Sequence, residues 1–458
     1  MNLPAPFTAN IKKLLKDEFL SFANALDEPS PVSVRVNDKF RLIPSDEKVP
    51  WCHSGYYLKE RPLFTADPLL HAGVYYVQEA SSMFLQQALE QYASPVSVVL
   101  DLSAAPGGKS TLISQFLDKN GFLVSNEIIR SRAYILAENM IKWGNDNFLV
   151  SNNSPEDFRK LPSFFDVLVV DAPCSGEGMF RKDAGAIGEW NEQNVAMCAA
   201  RQKNILNDVW DTLKTGGMLI YSTCTYNEAE NEENVKWIEH ELGAEVLPLN
   251  TAGFPEITVT EKGCRFFPHK TRGEGFFISV LRKASESPAP FSSGKKSTKQ
   301  NTKPENFILS LKKQLQEPEN WELSAENNIV SAIRKVHVEK VEILKNKLKT
   351  MHFGITLAEL KGKDLIPHVS LALSKSIDCE SVITAEVDRN TAIQYFRKET
   401  ILPPIPQKGF VLLTYQSVPI GWIKNMGNRC NNLYPSEWRI RMRILLSNPV
   451  DVTSNERE

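Results

Sequence analysis

No uncharged apolar stretch of this chain is long enough to cross a membrane as a helix, which excludes the helical membrane classes. Its start, Met1 to Phe7, lacks the basic segment and apolar run of a secretory signal. The seven cysteines are odd in number, scattered and without ligand spacing, so neither a disulfide framework nor a metal site is expected. A reducing cytoplasm is the expected location, where free thiols can carry chemistry. An excess of one charge is also missing: 53 Lys and Arg face 55 Asp and Glu, a formal net charge of -2. Nucleic-acid binders usually carry a basic footprint, and here one could survive only locally. Lys295-Lys296, Arg334 to Lys349 and Arg439 to Arg443 are basic-rich, whereas Glu228 to Glu233 is acidic. Each run equally fits a solvated helix surface.

What is present is periodicity that changes along the chain. At 458 residues the length suggests about three domains. Residues 1–90 open with helical apolar spacing over Ile11 to Leu20, and Val32-Ser-Val-Arg-Val36 alternates like a half-buried strand with Ser33 and Arg35 on one face. From 91 to 282 strand and helix alternate. Strands end near Asp101, Glu127, Val150, Asp171 and Tyr221, and helices start near Gly108, Arg130, Ala199 and Glu228. That alternation predicts an α/β fold, a doubly wound parallel sheet covered on both faces. Residues 283–304, rich in Ser, Pro, Lys and Gly, read as a linker. An intermediate α/β segment follows at 305–395. At 396–458, Lys408 to Tyr415 and Val418 to Ile423 read as short antiparallel strands of a small β-rich domain, with Trp422, Lys424, Asn428, Arg429 and Tyr434 decorating it.

The first strand of the alternating region runs into Ser103-Ala-Ala-Pro-Gly-Gly-Lys-Ser110. A glycine turn opening a helix offers backbone N–H groups and a favourable dipole to a ligand. It is not a phosphate-binding P-loop, because Ser103 stands where that motif needs its first glycine, and Gly-x-Gly-x-x-Gly is absent. A P-loop-like nucleotide hydrolase is therefore disfavoured. The next strand delivers Glu127, placed to accept hydrogen bonds from a ribose diol.

Two further strands deliver thiols, Cys174 in Asp171-Ala-Pro-Cys174 and Cys224 in Ser222-Thr-Cys-Thr225. In an open α/β sheet ligands bind beyond the carboxyl ends of the strands, so both thiols can reach one substrate. The residues alone do not say which of them attacks.

Taken together, Asp101 to Ser110, Asp171-Ala-Pro-Cys-Ser-Gly-Glu-Gly178 and Tyr221-Ser-Thr-Cys-Thr225 resemble the motifs of the Sun-type RNA cytosine-5 methyltransferases. Arg181-Lys182-Asp183 extends the likeness, and Ser33 to Asn37 resembles that family's N-terminal RNA-binding module. The tail resembles the PUA-like RNA-binding domain of the bacterial RsmF-type members. The resemblance implies a Rossmann-like sheet between an N-terminal α+β RNA-binding module and a PUA-like domain. It implies methyl transfer from S-adenosylmethionine to carbon 5 of a cytosine in RNA. Small-subunit rRNA, free or in the assembled subunit, is the expected partner, tRNA is the alternative, and the protein is expected to be a monomer. By the same resemblance Cys224 is the nucleophile, Cys174 assists release and Asp171 holds the base. Ser103, Ala104, Ala105, Pro106, Gly107, Gly108, Lys109, Glu127, Ser154 and Asp171 would line the cofactor site. Ser154 stands where the family carries an acid, which leaves Asn153 as a second candidate. Arg35, Arg181 and Lys182 are the expected RNA contacts.

Overall fold

A computed structural model of the chain describes residues 1–39, 47–286, 306–362, 364–402 and 405–442. The expected linker lies outside them from residue 287 on, as do Lys295, Lys296 and residues 443–458.

Apolar runs without alternation make strands that are buried on both faces, and five of them form the parallel heart of the fold. These are β4 (Val98–Asp101), β5 (Phe122–Asn126), β6 (Phe148–Ser151), β7 (Phe165–Asp171) and β8 (Leu213–Thr223). They lie in the order β8-β7-β4-β5-β6 and every neighbouring pair is parallel. The chain leaves β4 toward β5 and β6, then returns to the other side for β7 and β8. The topological switch point therefore falls between β4 and β7, where such sheets bind ligands. Antiparallel strands β9 (Ala244–Leu247), β10 (Thr258–Thr260), β11 (Gly263–Phe266) and β12 (Phe276–Lys283) extend the sheet beyond β8.

Helices α3 (Gly108–Phe116) and α4 (Arg130–Trp143) cover one face through Leu112, Ile113, Leu136 and Met140. Helices α5 (Glu192–Val209) and α6 (Glu232–Leu242) cover the other through Leu206, Val209, Val235 and Ile238. Two helix starts differ from the sequence reading. Helix α5 begins before Ala199 because Asn191 caps it, accepting the Asn194 N–H at 2.8 Å. Helix α6 begins after Glu228 because Asn227 and Glu230 are drawn into hydrogen bonds with the Cys174 loop.

Elements beyond residue 282 add to the central sheet and its core. Helix α7 (Val338–Lys347) buries Val341 and Leu344 in the same core as α5 and α6. Strand β15 (Thr350–Phe353) then pairs antiparallel with β6 and becomes the outermost strand of the sheet. Before them come β13 (Trp321–Glu326) and β14 (Ile329–Arg334), and after them β16 (Ile355–Lys361) and β17 (Asp364–Pro367), together a separate four-stranded sheet. The last sheet holds β18 (Thr384–Glu386), β19 (Gly409–Tyr415), β20 (Val418–Asn425) and β21 (Cys430–Asn432). Its first strand lies upstream of residue 396, because β18 pairs in parallel with β19. Trp422 and Tyr434 sit in the core of this region, while Asn428 and Arg429 are exposed.

At the N-terminus, α1 (Ala5–Leu15) breaks at Lys16, whose φ is +51°, and α2 (Phe19–Asp27) follows. Strands β1 (Val32–Val36), β2 (Gly55–Leu58) and β3 (Tyr75–Val77) form a three-stranded sheet. Here β1 is buried on both faces rather than one. Val34 and Val36 join a core with Ile393, Tyr395, Phe396 and Ile423 of the C-terminal region. Ser33 and Arg35 face inward as well, Arg35 toward α3.

Candidate active site

The glycine turn sits at the carboxyl end of β4. Gly107 is left-handed at φ +119°, a conformation L side chains rarely adopt, and it caps α3. Helix α4 fixes the turn from outside: Arg132 donates to the Ala105 carbonyl and Asn139 to the Pro106 carbonyl, each at 2.8 Å. Ser103, Gly108 and Lys109 are half-buried, and Ala104, Ala105 and Gly107 are buried around them. Lys109 is turned toward Asp171. Its Nζ lies 2.8 Å from Asp171 Oδ2 and so ties the turn to the thiol loops. Burial would lower the Lys109 ammonium, but Asp171 outweighs it and holds the lysine above its ordinary value, with Asp101 and Cys224 adding to the effect.

Three carboxylates surround this turn. Glu127, 3% exposed, accepts the Ile129 N–H at 2.9 Å and lies 3.5 Å from Arg132. Asp171 is the open one, with Oδ1 accepting the Ser222 hydroxyl at 2.9 Å. Asp101 was not singled out as a site residue from the sequence, yet it ends β4 fully buried. Its Oδ2 accepts the Ser110 hydroxyl at 2.6 Å, while Oδ1 has no hydrogen-bond partner. Burial pushes its carboxyl up to about 7. A helix N-terminus beside carboxylates, one with an orphaned buried oxygen, fits a zwitterionic ligand that carries a carboxylate, a cationic group and a ribose. Ser154 caps a short 3-10 helix and shares its hydroxyl with Asp157 at 3.2 Å. Asn153 is engaged too, donating to Asp157 at 3.1 Å and accepting the Lys349 N–H at 3.0 Å.

The two thiols meet. Cys174 leaves β7 after Pro173, Cys224 leaves β8, and their Sγ atoms lie 3.2 Å apart, both reduced and half-buried. Their strands are adjacent and in register, Asp171 opposite Ser222. The hydrogen bond with Cys224, and then burial, push the Cys174 thiol well above its ordinary value, and the Glu230 charge acts in the same direction.

Beneath the thiols the two loops exchange carboxylates. Glu230, from the Cys224 side, accepts the Ser175 N–H at 3.0 Å. Glu177, from the Cys174 side, accepts the Tyr226 N–H at 2.9 Å. The Asn227 amide donates to both, at 2.7 Å to Glu230 and 3.2 Å to Glu177. The Gly178 N–H donates to the Cys224 carbonyl at 2.8 Å, and a Cβ at Gly178 would stand 2.6 Å from the Gly275 oxygen. Glu177 and Gly178 belong to the sequence motif around Cys174, but nothing in the sequence paired them with Tyr226, Asn227 and Glu230. Glu230 lay inside an acidic run that reads as solvated surface, whereas it is fully buried.

The structure places two of the three expected RNA contacts out of solvent. Arg35 is fully buried, donates to Gln78 at 2.9 Å, Gln115 at 2.6 Å and Thr111, and stacks 4.3 Å from the Trp143 ring. Arg181 has a side chain only 5% exposed and is held by Glu274 at 3.0 Å and the Gly273 carbonyl at 2.7 Å. Both are structural bolts between modules. Lys182 stays at the surface, 3.8 Å from Glu274. Among the described residues there is no cluster of His, Cys, Asp and Glu able to hold a metal, and no helix is long and apolar enough to cross a membrane.

Comparison with known proteins gives three matches in chain order. Residues 3–80 match the N-terminal domain of 16S rRNA methyltransferase RsmF, 88–282 match 16S rRNA methyltransferase RsmB/F, and 382–440 match the methyltransferase RsmF PUA domain. Ribosomal RNA small subunit methyltransferase F of Erwinia tasmaniensis is 31% identical, covering 95% of this chain and 96% of that protein. Its counterpart in Vibrio vulnificus is also 31% identical, covering 95% and 97%. Among solved structures, a methyltransferase homolog protein from Pyrococcus horikoshii superposes with a TM-score of 0.53 at 27% identity, over 60% of this chain and 94% of that one. NSun6 from the same organism shares the fold, with a TM-score of 0.52 at 22% identity over 62% and 99%.

Proposed function

The chain belongs to the ribosomal RNA small subunit methyltransferase F family, and from that premise we propose that it methylates carbon 5 of a cytosine in small-subunit rRNA through a covalent Cys224 adduct. The observation that carries this reading is the pair of thiols in contact at the carboxyl ends of β7 and β8, next to the switch point and beside Asp171 and Lys109.

S-adenosylmethionine, when bound, supplies the methyl group as an electrophile. The turn from Ser103 to Lys109 would hold its amino-acid end and Glu127 its ribose, with Asp101 beneath. Carbon 5 of cytosine is too weak a nucleophile to take a methyl group unaided. Addition of the Cys224 sulfur to carbon 6, with a proton delivered at N3, makes carbon 5 enamine-like and splits one hard step into two easier ones. Asp171 is open to the cleft and would bond the base near N3, while Lys109 and Ser222 hold its carboxylate in place. After transfer a base takes the proton from carbon 5, the bond between carbon 6 and sulfur breaks with its electron pair returning to Cys224, and N3 gives up the proton it had gained. Cys174, in contact with the departing sulfur, assists that release. The base must leave its stack to reach this cleft, at a cost of a few kcal/mol that is least for an unpaired nucleotide.

Cys174→Ala should accumulate a covalent protein–RNA adduct, and Cys224→Ala should form none. If the adduct survives loss of Cys224 and disappears with loss of Cys174, the two roles are reversed. Mapping 5-methylcytosine in ribosomal RNA with and without the protein identifies the nucleotide.

A further inference from the structure

Different charged groups act on the two thiols. One is the Lys109 ammonium, paired with Asp171 and acted on by Cys224. The other is Glu230, fully buried, with Oε2 accepting the backbone N–H of Ser175, the residue after Cys174. Its other side-chain donors are Gln202 at 2.8 Å and Asn227 at 2.7 Å, both neutral amides. A buried carboxylate served only by neutral donors is costly. Both of its oxygens accept from these N–H donors, so a glutamine would turn its own NH2 toward one of them, whereas an aspartate keeps the accepting charge. Glu177, from the opposite loop, completes the exchange through Tyr226 and Trp190.

We propose that Glu230 is a positioning residue that divides the labour between the two thiols. With Glu177 it clasps their loops into contact, and its buried charge beside the Cys174 loop leaves Cys224, on the Lys109 side, as the member of the pair that attacks. This rests on the reading of Cys224 as the nucleophile. The same carboxylate is among the groups that hold the Cys174 thiol up. Thiolates, not thiols, are the reactive form, so the order of reactivity in the free protein reports the effect.

The test is alkylation of the full-length protein by iodoacetamide without RNA, with modification at residues 174 and 224 quantified by peptide mass spectrometry. In the wild type Cys224 should react ahead of Cys174, and Cys174 should begin to react only at higher pH. The reverse order overturns the proposal with no variant needed. Glu230→Gln should narrow the preference by roughly tenfold, and Glu230→Asp, which keeps the charge, should retain it. An unchanged ratio in a folded Glu230→Gln protein, or its collapse in Glu230→Asp, overturns the role of the charge. Adduct formation with 5-fluorocytosine RNA is the separate readout. An adduct that persists in Cys224→Ala overturns the nucleophile assignment, whereas an adduct on Cys224 with alkylation indifferent to Glu230→Gln overturns only the clasp.

Discussion

Asp101 is held at the end of β4 by one hydroxyl, with its second oxygen unpartnered, and burial lifts its carboxyl from 3.8 to about 7. Between those values the folded protein keeps a proton that the unfolded chain has lost. Its contribution to stability is therefore complete in acid and disappears as pH rises through about 7. Asp101→Asn should melt at the wild-type temperature near pH 4 and above it at pH 8, by on the order of 2–4 °C per kcal/mol gained, measured by thermal melts at both values. Glu127→Gln should weaken S-adenosylmethionine binding by roughly 10- to 100-fold, the worth of a hydrogen bond to a charged group, measured by calorimetry. At this scale the sequence was readable where a residue acts through its own type and loop, as with Cys174, Cys224 and Asp171, which the structure brings together. It was not readable where distant segments decide burial. Arg35 alternates outward on its strand, yet α3 and Trp143 close over it. Glu230 sits among acids, yet folds inward beneath Ser175.

Among elements, the boundaries that matter are those the thiol loops impose. Strand ends were legible because apolar runs stop at polar residues, and Asp101 and Asp171 end β4 and β7 as expected. The start of α6 was not, because Asn227 and Glu230 bond across to the Cys174 loop before the helix begins. Gly178 is the tightest point of this arrangement. Gly178→Ala would press a Cβ against the Gly275 and Cys224 carbonyls and should cost about 1–3 kcal/mol, as overpacking does. Methylation should fall with it, because the loops must part to make room; a melt and a methyl-transfer assay check both. Strand β15 acts on the opposite flank. Lys349→Pro removes the N–H that Asn153 accepts and should weaken cofactor binding about fivefold, the equivalent of one ordinary hydrogen bond.

For the whole molecule, the N- and C-terminal parts share one core. Val34, Val36 and Tyr75 pack with Ile393, Tyr395 and Phe396. Arg334 grips Asp146 at 2.9 Å, Lys375 pairs with Asp38, and α7 and β15 complete the central layers. Cleavage at a protease site placed between residues 287 and 305 should therefore leave two fragments that co-elute and unfold in one transition. Fragments that separate on size exclusion without denaturant would show that these contacts do not hold the halves. This joining was invisible in the sequence. The motifs mark a methyltransferase segment ending at 282, and nothing in the short run from Thr350 to Phe353 announces a partner strand about two hundred positions earlier.

That pairing also sets an order on biosynthesis. The ribosome makes β6 long before β15, and the intervening stretch of about 200 residues takes roughly 10–40 s to translate. Throughout that interval the outer edge of β6 offers a row of unpaired backbone groups, the kind of edge that recruits strands from other chains. The last strand to join the sheet thus works as a seal, and the nascent protein is most prone to aggregate just before its own C-terminal half closes it.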